Sequence, residues 1–224
     1  MAIAEIESGR SPAVQGLKDL LHLFGEDLIL TSLKRETGID LTLNQGDLAL
    51  SAEQRVQRGL EFADFVRQTR RGGDEGLGRS LKPGSLLQPL LNREVDFVVV
   101  GSVAGLVYGS AYPTYDLDVA YAKESENVRR LISALDDLDI SLDARLLDEA
   151  DVFSFDTSFG ALDVLGKIAG VGRYEELRRD AHREPIAGLL VQVASLNHLI
   201  SMKRASNKRK DQLMAMEYVE LADL

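Results

Sequence analysis

Apolar positions along the chain fall into two regimes. Before residue 85 they recur at helical spacing. Leu17, Leu20, Leu21 and Phe24 follow a Ser11-Pro12 opening, and residues 26–36 suit a second short helix. Residues 1–10 read as a frayed start, and residues 37–50, with turn residues and short alternations, as loop or short strand. Ser51-Ala-Glu-Gln54 has the form of a capping box and opens a helix to about Arg71, striped by Val56, Leu60, Phe62, Ala63 and Val66. Residues 72–84, rich in glycine and polar residues, read as a linker or mobile loop.

From residue 85 strands and helices alternate. Helices are predicted over 85–93, 102–109, 124–138, 173–180, 195–204 and 208–222. Strands are predicted over 95–100, 116–122, 143–147, 152–156 and 160–165, with a hairpin over 181–193 that turns at Ala187-Gly188. The expected fold is α/β (α+β): a small mixed sheet with flanking helices, preceded by an N-terminal helical segment. The expected division is 1–84 for that accessory segment with its linker and 85–224 for the main domain.

Composition narrows the function class. A hydrophobic content of 45% and a charged content of 28% over 224 residues are those of an ordinary globular protein. No apolar run approaches a membrane span, and the start MAIAEIESGR lacks the form of a signal peptide, so a cytoplasmic protein is expected. The chain has no cysteine, which excludes disulfides, thiolate zinc sites and a cysteine nucleophile. A net charge of −10 argues against a general nucleic-acid coat but leaves room for a local basic groove, and Lys203-Arg204 with Lys208-Arg209-Lys210 is the candidate.

The chemistry concentrates in residues 98–119, VVVGSVAGLVYGSAYPTYDLDV. Side chains two apart on a strand share a face, so Asp116 and Asp118 project together, with Leu117 and Val119 on the opposite side. Carboxylates that close repel unless a cation lies between them, and hard oxygen ligands of this kind suit Mg²⁺. Asp-x-Asp alone is common on exposed strands. Here it follows Gly101-Ser102 at a strand-to-helix turn, where free backbone N–H groups can receive a phosphate.

This combination resembles the nucleotidyltransferase superfamily, with the fold of DNA polymerase beta. The longer pattern Gly-Ser-x-Ala…Tyr-Gly…Thr-x-Asp-Leu-Asp, which includes Thr114, resembles its AbiEii-like and MenT-like branch, many members of which are toxins of toxin–antitoxin pairs. The branch often carries Arg where this chain has Tyr112. The resemblance covers roughly residues 91–224 and implies a nucleotidyltransferase core. It implies Mg²⁺ (or Mn²⁺) held by Asp116, Asp118 and a third carboxylate, for which Asp163 in FGALDVLG is the first candidate and Asp156 in VFSFD the rival. It also matches Lys203, at the end of an apolar-faced helix, and Lys210-Asp211 at the start of the last one.

The expected activity is transfer of a nucleoside monophosphate from a nucleoside triphosphate (NTP) to an acceptor hydroxyl. Gly101, Ser102, Thr114, Lys210 and Asp211 are the expected nucleotide contacts, and Lys203 the expected charge on the triphosphate. By resemblance the acceptor is an RNA end such as that of tRNA, with an antitoxin protein as a further partner and no membrane. A protein or small-molecule acceptor is the alternative, as is a regulatory binding module with an N-terminal interaction segment. His22, His182 and His198 do not cluster in sequence and are read as structural or exposed. Neither a Walker-type loop nor a Gly-x-Gly-x-x-Gly turn is present.

Overall fold

A computed structural model describes residues 42–69 and 79–224. The expected helices over 11–24 and 26–36, His22 and residues 72–78 of the linker lie outside them. The described chain runs α1 (Thr42–Leu48), α2 (Ala52–Thr69), α3 (Pro83–Asn92), β1 (Phe97–Val100), α4 (Gly101–Val107) and β2 (Asp116–Tyr121). It continues with α5 (Ser125–Asp136), α6 (Leu146–Glu149), β3 (Val152–Thr157), β4 (Gly160–Leu165) and α7 (Tyr174–Arg179). The hairpin β5 (His182–Ile186) and β6 (Leu189–Val193) and the helices α8 (Leu196–Ala205) and α9 (Arg209–Ala222) follow. This is a mixed α/β fold, as expected.

The six strands form one sheet in the order β3-β4-β2-β1-β6-β5. The central pair β1–β2 is antiparallel, the flanking pairs β2–β4 and β1–β6 are parallel, and the outer pairs β3–β4 and β5–β6 are antiparallel. The all-valine end of β1 is buried throughout, as a strand covered on both faces requires. In β2 and β4 burial alternates. Leu117, Val119, Leu162 and Val164 are fully buried on one face, and Asp116, Asp118 and Asp163 stand half-buried on the other. Phe153 and Phe155 of the edge strand stack with ring centroids 6.4 Å apart.

Several expectations are met at the level of single bonds. Gln54 N–H donates to Ser51 Oγ at 3.3 Å and Ser51 N–H to Gln54 Oε1 at 2.9 Å, so the capping box forms. The hairpin turns at Ala187-Gly188 with both residues at positive φ, the geometry of a tight two-residue hairpin turn. Among the described residues no helix is long and apolar enough to cross a membrane.

Three local readings need correction. Residues 42–48 are helical rather than loop or strand: Asn44 is buried against Gly109 O and Glu217, and the Arg55 guanidinium ties down Asp47 O and Leu48 O. Tertiary partners override a weak local pattern there. Residues 143–147 are not a strand. Asp143 accepts from the backbone and guanidinium of Arg145, a local turn that leads into α6. The described end of the expected linker is anchored: Arg79 donates to Thr157 O, Ser80 to Asp64, and Lys82 N–H to Phe159 O.

The described residues belong to a single compact unit, so the expected division at residue 84 falls inside it. Arg55 of α2 donates to Val107 O at 2.8 Å, and Gly59 lets α2 approach Leu106 of α4 closely.

Candidate metal and phosphate site

The site is built from strand register. Asp118 of β2 is the register partner of Asp163 in β4, and Ser154 of β3 is the next residue in the same row. Asp116 lies two residues before Asp118, on the same face. Carboxylate oxygens of Asp116, Asp118 and Asp163 all lie within 4.8 Å of one another, so the three can hold a metal ion. The rival Asp156 sits on edge strand β3, opposite Ala161, and is outside this group.

Electrostatics set a condition on the group. Two unit charges at such a distance repel by roughly 3 kcal/mol at an effective dielectric of about 20. Burial first, and then the neighbouring Asp116 and Asp163, push the Asp118 carboxyl up to about 7, against the pull of Lys203. Burial also raises Asp163, opposed by the Ser154 hydroxyl and by Lys208. Full ionisation of the cluster near neutral pH is therefore opposed, and a cation held between the carboxylates would favour it.

Asp116 is oriented from within its own strand entry. Thr114 is buried, and its hydroxyl donates to Asp116 Oδ1 at 3.0 Å and to the Asp116 carbonyl at 3.2 Å. Thr114 thus holds a carboxylate, a task distinct from the nucleotide contact expected of it.

A cavity of about 170 Å³ opens beside Asp118, with Gly101, Lys203, Ser206 and Asp211 in its wall. Gly101 has φ +68°, and a Cβ there would overlap the Asp118 carboxylate. Only glycine meets both demands. Lys203 Nζ donates to Asp211 Oδ1 at 2.8 Å, and Ser206 Oγ to Asp211 Oδ2 at 2.6 Å. Burial pushes the Asp211 carboxyl up, but these hydrogen bonds and the charges of Lys203 and Lys208 outweigh it and leave it below its ordinary value. The pair holds one cationic group at the cavity wall near Asp118.

The structure brings together Asp116, Asp118, Asp163, Gly101, Lys203 and Asp211. Ser102 is buried and is not part of the cavity wall; Lys210 is exposed on the first turn of α9 and is not part of it either. His182 is exposed on β5, and His198 faces Asp180 at 3.7 Å; neither belongs to the triad or the cavity. Ser206 was not foreseen, since a serine in a short polar turn gives no signal of its own. Glu217 could have been: it is a lone carboxylate on the apolar face of α9, between Met214 and Leu221.

Comparison with family models, with curated proteins and with solved structures gave no match.

Proposed function

We propose that the chain is a metal-dependent nucleotidyltransferase of the kind its sequence resembles, moving a nucleoside monophosphate from an NTP to an acceptor hydroxyl. The observation that carries the reading is the convergence of Asp116, Asp118 and Asp163 beside a cavity walled by Gly101 and Lys203.

Asp116, Asp118 and Asp163 would hold Mg²⁺ or Mn²⁺, which in this chemistry neutralises phosphate charge and makes the acceptor oxygen a better nucleophile. The three aspartates fit that role by donor type and spacing: hard oxygens, half-buried, within 4.8 Å of one another. Thr114 fixes the Asp116 carboxylate. Gly101, in the cavity wall, makes room for the Asp118 carboxylate to stand against the backbone. Lys203, held by Asp211 and through it by Ser206, offers positive charge to the pyrophosphate as it leaves. Most of the work assigned to the protein is positioning and charge stabilisation.

An RNA end is the acceptor we favour. Arg204 at the end of α8, Lys208 in the turn, and Arg209 and Lys210 at the start of α9 are all exposed, around Ser206 of the cavity wall. A concentrated basic turn on a chain of net charge −10 suits a phosphate backbone passing the site.

The test is incubation with Mg²⁺, each of the four α-labelled NTPs and total RNA. Label is expected on RNA, lost in Asp116→Ala/Asp118→Ala, and RNA binding is expected to weaken steeply with salt. Label on the protein itself, or on a small hydroxylated molecule only, removes the RNA assignment. Transfer that survives the double substitution removes the whole reading.

A further inference from the structure

Helix α9 places Glu217 at the centre of a buried network away from the cavity. Its side chain is almost fully buried. Glu217 Oε1 accepts from Ala111 N–H at 2.9 Å and from Asn44 Nδ2 at 3.0 Å; Oε2 accepts from Ser110 Oγ at 2.6 Å. Asn44 Nδ2 also donates to Gly109 O at 2.6 Å, and Tyr112 N–H donates to Ser110 Oγ at 3.3 Å.

Apart from the bond between them, the groups that Glu217 and Asn44 hold here lie in residues 109–111, in the connection from α4 to β2. Five residues on is Asp116. Between them, Pro113 limits the backbone, and buried Thr114 grips the Asp116 carboxylate. A carboxylate buried among neutral donors is a costly choice for simple packing; an apolar residue would fill the same space without desolvation. What it provides is directionality: three donors from two segments must meet two oxygens.

We infer that Glu217 is a positioning residue for the carboxylate cluster, fixing residues 109–111 so that Thr114 and Asp116 take their places. Asn44 joins the same lock from α1, so a helix from the N-terminal segment contributes to the site without touching it. The inference rests on the metal-dependent reading of the triad and adds to it a residue that neither the Asp-x-Asp pattern nor the cavity includes.

The test is Mn²⁺ titration of the full chain, followed by electron paramagnetic resonance of the free ion. Glu217→Leu is expected to weaken Mn²⁺ binding by about tenfold, the lower end for a residue that orients a metal ligand. Ser110→Ala is expected to weaken it less. Glu217→Gln, whose amide can still accept from Ala111 and donate to Ser110, is expected to stay within about twofold of the parent. The double substitution Glu217→Leu/Ser110→Ala is expected to be no worse than Glu217→Leu alone, as for members of one unit. Leu131→Ala, a core truncation in α5, serves as the control for lost stability and is expected to bind Mn²⁺ normally when folded.

Unchanged Mn²⁺ affinity in folded Glu217→Leu, or equal weakening in Leu131→Ala, overturns the inference. If Glu217→Leu does not fold, Ser110→Ala decides: parental affinity there overturns it. Failure of the underlying reading looks different. In that case the parent protein itself binds no Mn²⁺, or binds it equally well as Asp118→Asn.

Discussion

Asp118 and Asp163 face one another as register partners across the parallel pair β2–β4, two carboxylates that no strand pairing needs for its own stability. Their apolar neighbours, Leu117, Val119, Leu162 and Val164, hold the strands together from the opposite face. The cluster is thus a cost that the rest of the sheet bears. Asp118→Asn is expected to stabilise the metal-free protein at pH 8 by about 2 kcal/mol, through loss of like-charge repulsion. The same variant is expected to lose the rise in melting temperature that Mg²⁺ or Mn²⁺ gives the parent. Thermal melts with and without the ion read both effects.

The pH dependence follows from Asp118, which is raised from 3.8 to about 7 in the folded chain. Between those values the folded state holds a proton that the unfolded state has released. Stability from this group is therefore complete below about pH 4 and is lost as pH rises through about 7. Each pKa unit carries about 1.4 kcal/mol. Parent and Asp118→Asn, compared by urea unfolding from pH 5 to pH 8, are expected to differ in slope in that direction. A bound cation must displace this proton, so metal affinity is expected to fall as pH drops below about 7, with proton release on binding.

Gly101 combines φ +68° with direct approach to Asp118. Gly101→Ala is expected to cost at least about 1–3 kcal/mol for the backbone conformation alone. The added methyl must also push the Asp118 carboxylate aside, so Mn²⁺ affinity is expected to fall together with stability. Denaturant unfolding and metal titration on the same preparation check the pair of effects.

Lys203 and Asp211 are each about 16% exposed and bonded at 2.8 Å. Lys203→Met leaves the Asp211 carboxylate with the hydrogen bond from Ser206 Oγ but without its cationic partner, and is expected to destabilise the fold by about 1–3 kcal/mol. Lys203→Met/Asp211→Leu is expected to regain part of that loss. For the proposed transfer, neither variant is expected to recover the parental KM for NTP, which is expected to rise at least about tenfold with the cationic group at the cavity wall gone. Stability restored together with activity would mean that the pair is only a structural bridge.

Legibility in the sequence followed the range of the interactions involved. The alternation of Asp116-Leu117-Asp118-Val119 and of Ala161-Leu162-Asp163-Val164 is set by the period of a strand, so both carboxylate rows could be read locally. The choice of Asp163 over Asp156 could not, because it depends on β4, not edge strand β3, pairing with β2. The capping box at Ser51 and the positive-φ turn at Ala187-Gly188 are likewise local devices, and both formed. Helix α1 escaped because its determinants are distant: Asn44 is held by Glu217, 173 positions away. The bond from Thr114 to Asp116 was not legible either, because the sequence does not show which way a hydroxyl turns.

The most direct measurement of the central claim is the fate of the two ends of the triphosphate. Parent protein is incubated with Mg²⁺, RNA and NTP labelled either at the α- or at the γ-phosphate. The account predicts α-label on the acceptor and γ-label in pyrophosphate, in equal amounts, both lost in Asp116→Asn/Asp118→Asn. Transfer of γ-label to the acceptor, release of γ-label as inorganic phosphate alone, or full activity in the double variant would contradict it.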